Sequence, residues 1–243
     1  MATIQVVVFD MAGTTVRDRH EVQACFLRAA AQTGLVTTPE RVNTMMGWSK
    51  RRVFEVLWGE QLGAEAPEFT AQVDQSYADF CQRLEAHYRE QPVEPTEGCL
   101  ELFDWLRARG IAIALTTGFY RQVTDIILQR LGWDVGLNAD YVGQPDSPIQ
   151  VSVTPSEIYN QEGRPAPYLI QKALYKLGLV DPQTAIKIGD TPVDLAAGFQ
   201  AHCRYSWGVT NGSHRREQLA ACPHHGLFDS LTAVQAQLAE LLA

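Results

Sequence analysis

Four short segments of this 243-residue chain carry side chains able to handle a phosphoryl group or a metal ion. Asp10 ends an apolar run over residues 4–9 and is followed by Met11-Ala12-Gly13-Thr14-Thr15. A carboxylate at the tip of a buried strand, ahead of a Gly-containing turn, can attack phosphorus as a nucleophile. An Asp in that place can equally cap the next helix. Gly189-Asp190-Thr191-Pro192-Val193-Asp194 sets two carboxylates four residues apart. Such a pair suits a hard, oxygen-seeking cation such as Mg²⁺, or else forms a turn and a helix cap. Leu115-Thr116-Thr117-Gly118 offers a hydroxyl and backbone N–H groups to phosphate oxygens. Arg164, in Gly163-Arg164-Pro165-Ala166-Pro167, has the geometry to neutralise phosphate charge, although a surface arginine before a Pro-started helix would read the same way.

These segments need a scaffold that brings distant loops together. Residues 4–9, 111–115 and 185–188 are short, β-branched apolar runs, the pattern of parallel strands buried on both faces. Helical patterns lie between them, at 99–109 (closed by Gly110), 122–131 and 168–177. Strands alternating with helices predict a doubly wound parallel α/β sheet, Rossmann-like, whose ligands sit beyond the carboxyl ends of the strands. Three of the four segments follow predicted strands. Residues 19–90 read differently, with helix-like stretches at 20–33, 39–45, 50–58 and 69–88 and no convincing strand. We read 1–18 and 91–243 as the core domain and 19–90 as a helical cap inserted after the first strand. The Pro- and Gly-containing stretch 91–98 is a hinge in this reading, joined by Arg17 and Asp18.

Composition narrows the function classes. Hydrophobic residues make up 46% of the chain, so it can build a core. A net charge of −8 gives little help in binding nucleic acid or anionic membranes. Five cysteines, none spaced as C-x-x-C, argue against a disulfide framework or a cysteine zinc site and for a reducing compartment. Without a secretory pattern at the N-terminus or an apolar run long enough to span a bilayer, the expectation is a cytoplasmic protein.

In the order nucleophile, hydroxyl, cation, acidic pair, the four segments resemble the haloacid dehalogenase-like superfamily of phosphohydrolases over nearly the whole chain. The resemblance implies that Asp10 forms an aspartyl-phosphate, that Thr117 and Arg164 bind the phosphoryl oxygens, and that Asp190 and Asp194 position Mg²⁺. It also implies that Asp10 and the backbone carbonyl of Ala12 reach the metal, that the helical insert closes over the site, and that dimerisation through the cap helices is open to the chain.

One departure carries information. Phosphatases of the superfamily place a second Asp two residues after the nucleophile as general acid, and this chain has Ala12 there. A methyl group donates no proton, and a missing general acid typically costs about 10²–10⁴ in rate. Asp-x-Ala-Gly-Thr-Thr is the pattern of the phosphonoacetaldehyde hydrolase (phosphonatase) branch. There a cap lysine in a Met-Gly-x-x-Lys segment forms a Schiff base with the substrate aldehyde, so that P–C cleavage expels an enamine. Met46-Gly47-Trp48-Ser49-Lys50 matches that segment. As a Schiff-base lysine, Lys50 must be partly neutral, through burial beside Met45, Met46 and Trp48 or through the nearby cations Arg51 and Arg52. The bland alternative is a solvated lysine in the first turn of a helix. Met46, Gly47, Trp48, Thr116, Gly118 and Phe119 are expected beside the substrate.

Two positions break the branch pattern. Its His three residues after the lysine is Val53 here, and its Tyr after the Thr-Gly turn is Phe119. Tyr120 is adjacent but should point elsewhere. Three functions are therefore weighed: a phosphonatase-like hydrolase of a small phosphonate, a phosphatase for small phosphate esters or acyl phosphates without Lys50 chemistry, and a non-catalytic phosphate-binding module. The substrate is in every case a small organophosphorus compound. The His224-His225 pair reads as a solvated loop.

Overall fold

The computed structural model describes residues 3–243. Strand β1 (Val6–Phe9) is buried at every position. Its side chains alternate between two cores, with Val7 and Phe9 in one and Val6 and Val8 in the other. That is why the run is continuously apolar rather than alternating.

The described sheet has six strands in the order β3-β2-β1-β4-β5-β6, every pair parallel. The others are β2 (Ala112–Thr116), β3 (Val151–Val153), β4 (Ala185–Gly189), β5 (Tyr205–Val209) and β6 (Gly226–Phe228). Helices α5 (Cys99–Arg107), α6 (Arg121–Leu131) and α10 (Leu231–Leu241) bury Leu102, Ile127 and Val234 on the face of Val7. Helices α7 (Tyr168–Lys176) and α8 (Pro192–Gln200) bury Ile170 and Ala197 on the face of Val6. A short α9 (Arg216–Ala220) precedes β6. The doubly wound sheet is thus as expected. Strands β5 and β6 and helices α8, α9 and α10 lie outside the expected elements.

Between β1 and α5 lie four helices: α1 (Glu21–Thr33), α2 (Pro39–Asn43), α3 (Lys50–Leu62) and α4 (Phe69–Glu90). Phe26, Phe54 and Phe80 hold α1, α3 and α4 together, with ring centroids 4.2–5.8 Å apart. Each such aromatic pair adds about 0.5–1.5 kcal/mol beyond its buried area. The expected helix at 50–58 runs on to Leu62, through Gly59, while the one at 39–45 stops at Asn43.

The chain leaves and rejoins the sheet region along two paired segments. Arg17 N–H donates to the Glu94 carbonyl (2.9 Å), Thr96 N–H to the Thr15 carbonyl (3.0 Å), and the Thr96 hydroxyl to the Thr14 carbonyl (2.6 Å). Arg19 and Glu94 add an exposed ion pair at 2.9 Å. Among the described residues, no helix is long and apolar enough to cross a membrane.

Candidate active site

Register explains why distant residues meet. Phe9 pairs with Leu115 on one side and with Ile188 on the other. Asp10, the pair Thr116-Thr117 and the pair Gly189-Asp190 therefore emerge at one level of the sheet. This is the point where strand order reverses from β2 to β4, the usual crevice for ligands of such sheets.

The turn after Asp10 folds on the Met11 carbonyl, which accepts from the N–H groups of Thr14, Thr15 and Val16 at 2.8–3.0 Å. Gly13 takes φ +85°, and a Cβ there would lie 2.4 Å from Asp190 Oδ2. Backbone conformation and close approach both demand glycine.

Asp10, Asp190 and Asp194 are fully buried, and one carboxylate oxygen from each lies within 4.8 Å of the others. Asp190 is oriented by three donors: the Thr14 hydroxyl (3.0 Å), the Ser213 N–H (2.7 Å) and the Ser213 hydroxyl (2.7 Å). Asp194 accepts from the Thr191 hydroxyl (2.6 Å) and pairs with Lys187 at 2.9 Å. Arg164 Nη1 contacts Asp194 Oδ1 and lies 2.8 Å from Asp10 Oδ1. The latter contact misses hydrogen-bond geometry, so Asp10 Oδ1 is buried without a hydrogen-bond partner, and Arg164 Nε is likewise buried and unpartnered. Three clustered carboxylates, two held by fixed donors and the third with an unsatisfied oxygen, make a donor set that fits a hard divalent cation.

The electrostatics follow from burial and from where the two cations sit. Burial alone would raise Asp194, but Arg164 and Lys187 outweigh it and hold it down at about 2. Asp10 goes the other way: burial pushes it up to about 7, Arg164 pulls it back, and Asp194 adds to the push. Asp190 is also raised, by burial and then by Asp194.

Lys50 is 5% exposed, not solvated. It opens α3, and its Nζ lies 5.0 Å from the Phe119 ring centroid and 5.8 Å from that of Phe26. Burial first, and Arg164 second, lower its pKa to about 8 from an ordinary value of 10.5. Of the two causes expected, burial is the one that leads; the cation that adds to it is Arg164 and not Arg51 or Arg52, since Arg51 pairs with Glu55 and Asp74 and Arg52 with Glu55. The cation that acts comes from the other side of the site.

Asp10, Ala12, Met46, Gly47, Lys50, Thr117, Gly118, Phe119 and Arg164 line one cavity of about 20 Å³. Asp18 and Ser213 join them. Two expected substrate contacts lie elsewhere. The Thr116 hydroxyl turns to the Phe9 carbonyl and to Lys187, both at 3.4 Å. Trp48 lines a second cleft of about 750 Å³, with Arg51, Gln161 and Arg164, which borders both. Thr117 faces the cavity, its hydroxyl accepting from the Phe119 N–H at 3.1 Å. Tyr120 points away, its hydroxyl donating to Glu85 of α4 at 2.9 Å. His225 is part of the fold, accepting from the Ser206 N–H at 3.0 Å and stacking on Phe199 at 4.6 Å.

Sequence reading missed Lys187, Ser213 and the orientation of Asp18. Lys187 carried a signal: a lysine inside an otherwise apolar strand requires a buried acid nearby. Ser213 carried none, because it lies in the loop after β5, a strand the sequence does not announce.

The chain is similar to several known proteins. A phosphonoacetaldehyde hydrolase of Bacteroides fragilis is 28% identical over 253 aligned residues, spanning 98% of this chain and 89% of that protein. In fold, the chain is similar to a hydrolase from Pseudomonas syringae (TM-score 0.79, 18% identity, 98% of this chain and 100% of that one). It is also similar to a phosphonoacetaldehyde hydrolase-like protein from Oleispira antarctica (TM-score 0.78, 18% identity, 99% of this chain and 93% of that one). The family model for haloacid dehalogenase-like hydrolases matches residues 4–202, which include every residue of the buried acidic cluster and both of its cations. This chain belongs to the haloacid dehalogenase-like hydrolase family.

Proposed function

We propose that this hydrolase cleaves a small phosphonate aldehyde such as phosphonoacetaldehyde, with Asp10 as nucleophile and Lys50 as the amine that forms an imine. The observation that carries the reading is the burial of Lys50 in the cavity that also holds Asp10. A buried lysine held at about 8 by burial and Arg164 is partly neutral at physiological pH and free to add to a carbonyl. The Bacteroides fragilis relative, by its name, acts on such a substrate.

In this reading Arg164 Nε, buried without a partner, donates to a phosphoryl oxygen, and the Thr117 hydroxyl lies within the same cavity. Asp10 attacks phosphorus and becomes a phosphoaspartate. The C–P electron pair passes into the Lys50 iminium, giving an enamine, and water then releases phosphate from Asp10. Mg²⁺ at Asp10, Asp190, Asp194 and the Ala12 carbonyl would supply charge neutralisation at the transferring group. Ala12 needs no acidic side chain, because the iminium stabilises the leaving carbon.

A cavity of about 20 Å³ has room for about one water molecule, far less than any organophosphorus substrate. Residues 46–50 must therefore lift from the sheet for substrate to enter. We propose that residues 19–90 act as a cap that opens about the paired segments at 14–17 and 94–96.

The test is reduction with borohydride in the presence of phosphonoacetaldehyde, read by mass spectrometry of the Lys50 peptide. A Lys50 adduct with loss of turnover is expected, and Lys50→Ala should abolish phosphonate cleavage. If Lys50→Ala instead keeps all activity and no adduct forms, the chain is a phosphatase of small esters. If Asp10 forms no BeF₃⁻ adduct either, it is a binding module.

A further inference from the structure

Imine formation moves two protons, and this site lacks the groups that usually carry them. Val53 and Phe119 stand where the branch has a His and a Tyr, and offer no titratable atom. Yet one carboxyl in the same cavity has no assigned role. Asp18 lines it together with Lys50. Its Oδ1 is buried and accepts no hydrogen bond. Its neighbours Arg17 and Arg19 are engaged by Glu94 outside the cavity. A carboxylate buried in this way, without an arginine or a donor fork, is costly unless it carries a proton.

We propose that Asp18 is the proton carrier for imine formation at Lys50, a step that rests on the phosphonate-aldehyde reading above. The neutral Nζ adds to the aldehyde carbon, and the carbonyl π pair moves to oxygen. That oxygen takes the proton of the Asp18 carboxylic acid, and the resulting carboxylate accepts a proton from the nitrogen. In the dehydration that follows, Asp18 gives this proton to the hydroxyl, which departs as water while the nitrogen lone pair closes the C=N bond. An iminium and an Asp18 carboxylate remain, an ion pair formed from two neutral groups. Proton carriage through Asp18 thus supplies the counter-ion of the iminium where it is created.

The groups around Asp18 favour this resting state. Burial, then Glu21 of α1 through its charge and a hydrogen bond, then Asp190, raise its pKa to about 8, and Lys50 lowers it. Around Lys50 stand Arg164, which lowers its pKa, and Asp10, Asp18 and Asp190, which raise it. An uncharged acid and an uncharged amine therefore coexist near neutral pH.

The experiment measures the rate of cyanoborohydride-trapped Lys50 adduct with acetaldehyde, which contains no phosphorus and makes no demand on Asp10. Asp18→Asn should slow trapping by about 10²–10⁴, the usual share of general acid–base catalysis. Asp18→Glu should recover part of it. Thermal unfolding and BeF₃⁻ binding at Asp10 establish that each variant is folded. If Asp18→Asn does not fold, Asp18→Ser takes its place in the same assay. Trapping by the folded variant at the wild-type rate overturns the proposal. Failure of the wild type to trap at all overturns the reading beneath it.

Discussion

Gly118 offers a graded test of how tightly the helical insert must seat. A Cβ added there would lie 2.4 Å from the Trp48 carbonyl oxygen and 2.7 Å from that of Gly47, whereas ordinary contact begins at 3.4 Å. Backbone carbonyls have no rotamer by which to escape, so the 47–48 segment must rise by about 1 Å, the difference between the two distances. Lys50 begins α3 two residues later and must move with it. A misplacement of about 1 Å at a reacting group costs roughly 10²-fold in rate. Gly118→Ala should therefore lower kcat for phosphonoacetaldehyde about a hundredfold. The lifted segment lies above the strands, so the thermal midpoint should move by only a few degrees. Gly163→Ala provides the calibration. Its Cβ would meet Ser49 at 3.1 Å, close enough to ask for a few tenths of an ångström. A loss of only a few-fold is expected. Steady-state kinetics on the two variants, with thermal melts alongside, make the comparison. Wild-type kcat in Gly118→Ala, or a larger loss in Gly163→Ala, would refute the link between seating and rate.

Lys50 should also impose a pH-dependent stability cost. Its folded pKa of about 8 lies below the ordinary 10.5, so across that window the unfolded chain holds a proton the folded chain lacks, and stability rises with pH. Lys50→Met should remove this rise, which is worth up to about 3 kcal/mol at 1.36 kcal/mol per pK unit; urea unfolding of both proteins at pH 7 and pH 10 measures it, and parallel pH dependence would count against it. Ser213→Ala deletes one of the two hydrogen bonds that Ser213 makes to Asp190. Partners of metal ligands are typically worth 10–100-fold in affinity, so the Mg²⁺ concentration for half-maximal activity should rise about tenfold, and an unchanged Mg²⁺ titration would dismiss Ser213 as a support.

The sequence exposed the chemistry at strand ends because that chemistry is local: Asp10, Thr117 and Asp190 each follow an apolar run directly. Asp194 was legible for the same reason, four residues beyond Asp190 in a turn started by Thr191 and Pro192. What escaped was set by contacts distant in sequence. Ser213 reaches Asp190 only because β5 pairs with β4, placing Gly208 opposite Gly189. β5 itself (Tyr-Ser-Trp-Gly-Val) breaks the apolar pattern with a serine whose hydroxyl donates to the Leu195 carbonyl at 2.9 Å. Lys50 showed the limit of neighbour-based reasoning. The adjacent arginines were natural suspects for its shifted pKa, yet both are engaged by acids of α3 and α4, and the effective cation lies more than a hundred residues away. Thr116 and Thr117 look alike in sequence, and alternation along a strand decides which of the two meets the cavity.

The pairing of residues 14–17 with 94–96 has an evolutionary reading. Because the two passages run side by side, the chain enters and leaves the helical segment at one place, between strand ends that neighbouring backbone already holds about 5 Å apart. A descendant could exchange or shorten those helices without rethreading β1, β2 or β4. The acidic cluster at the strand ends and whatever groups the helices bring to it would then be inherited as separable traits, one fixed in the sheet and the other free to diversify.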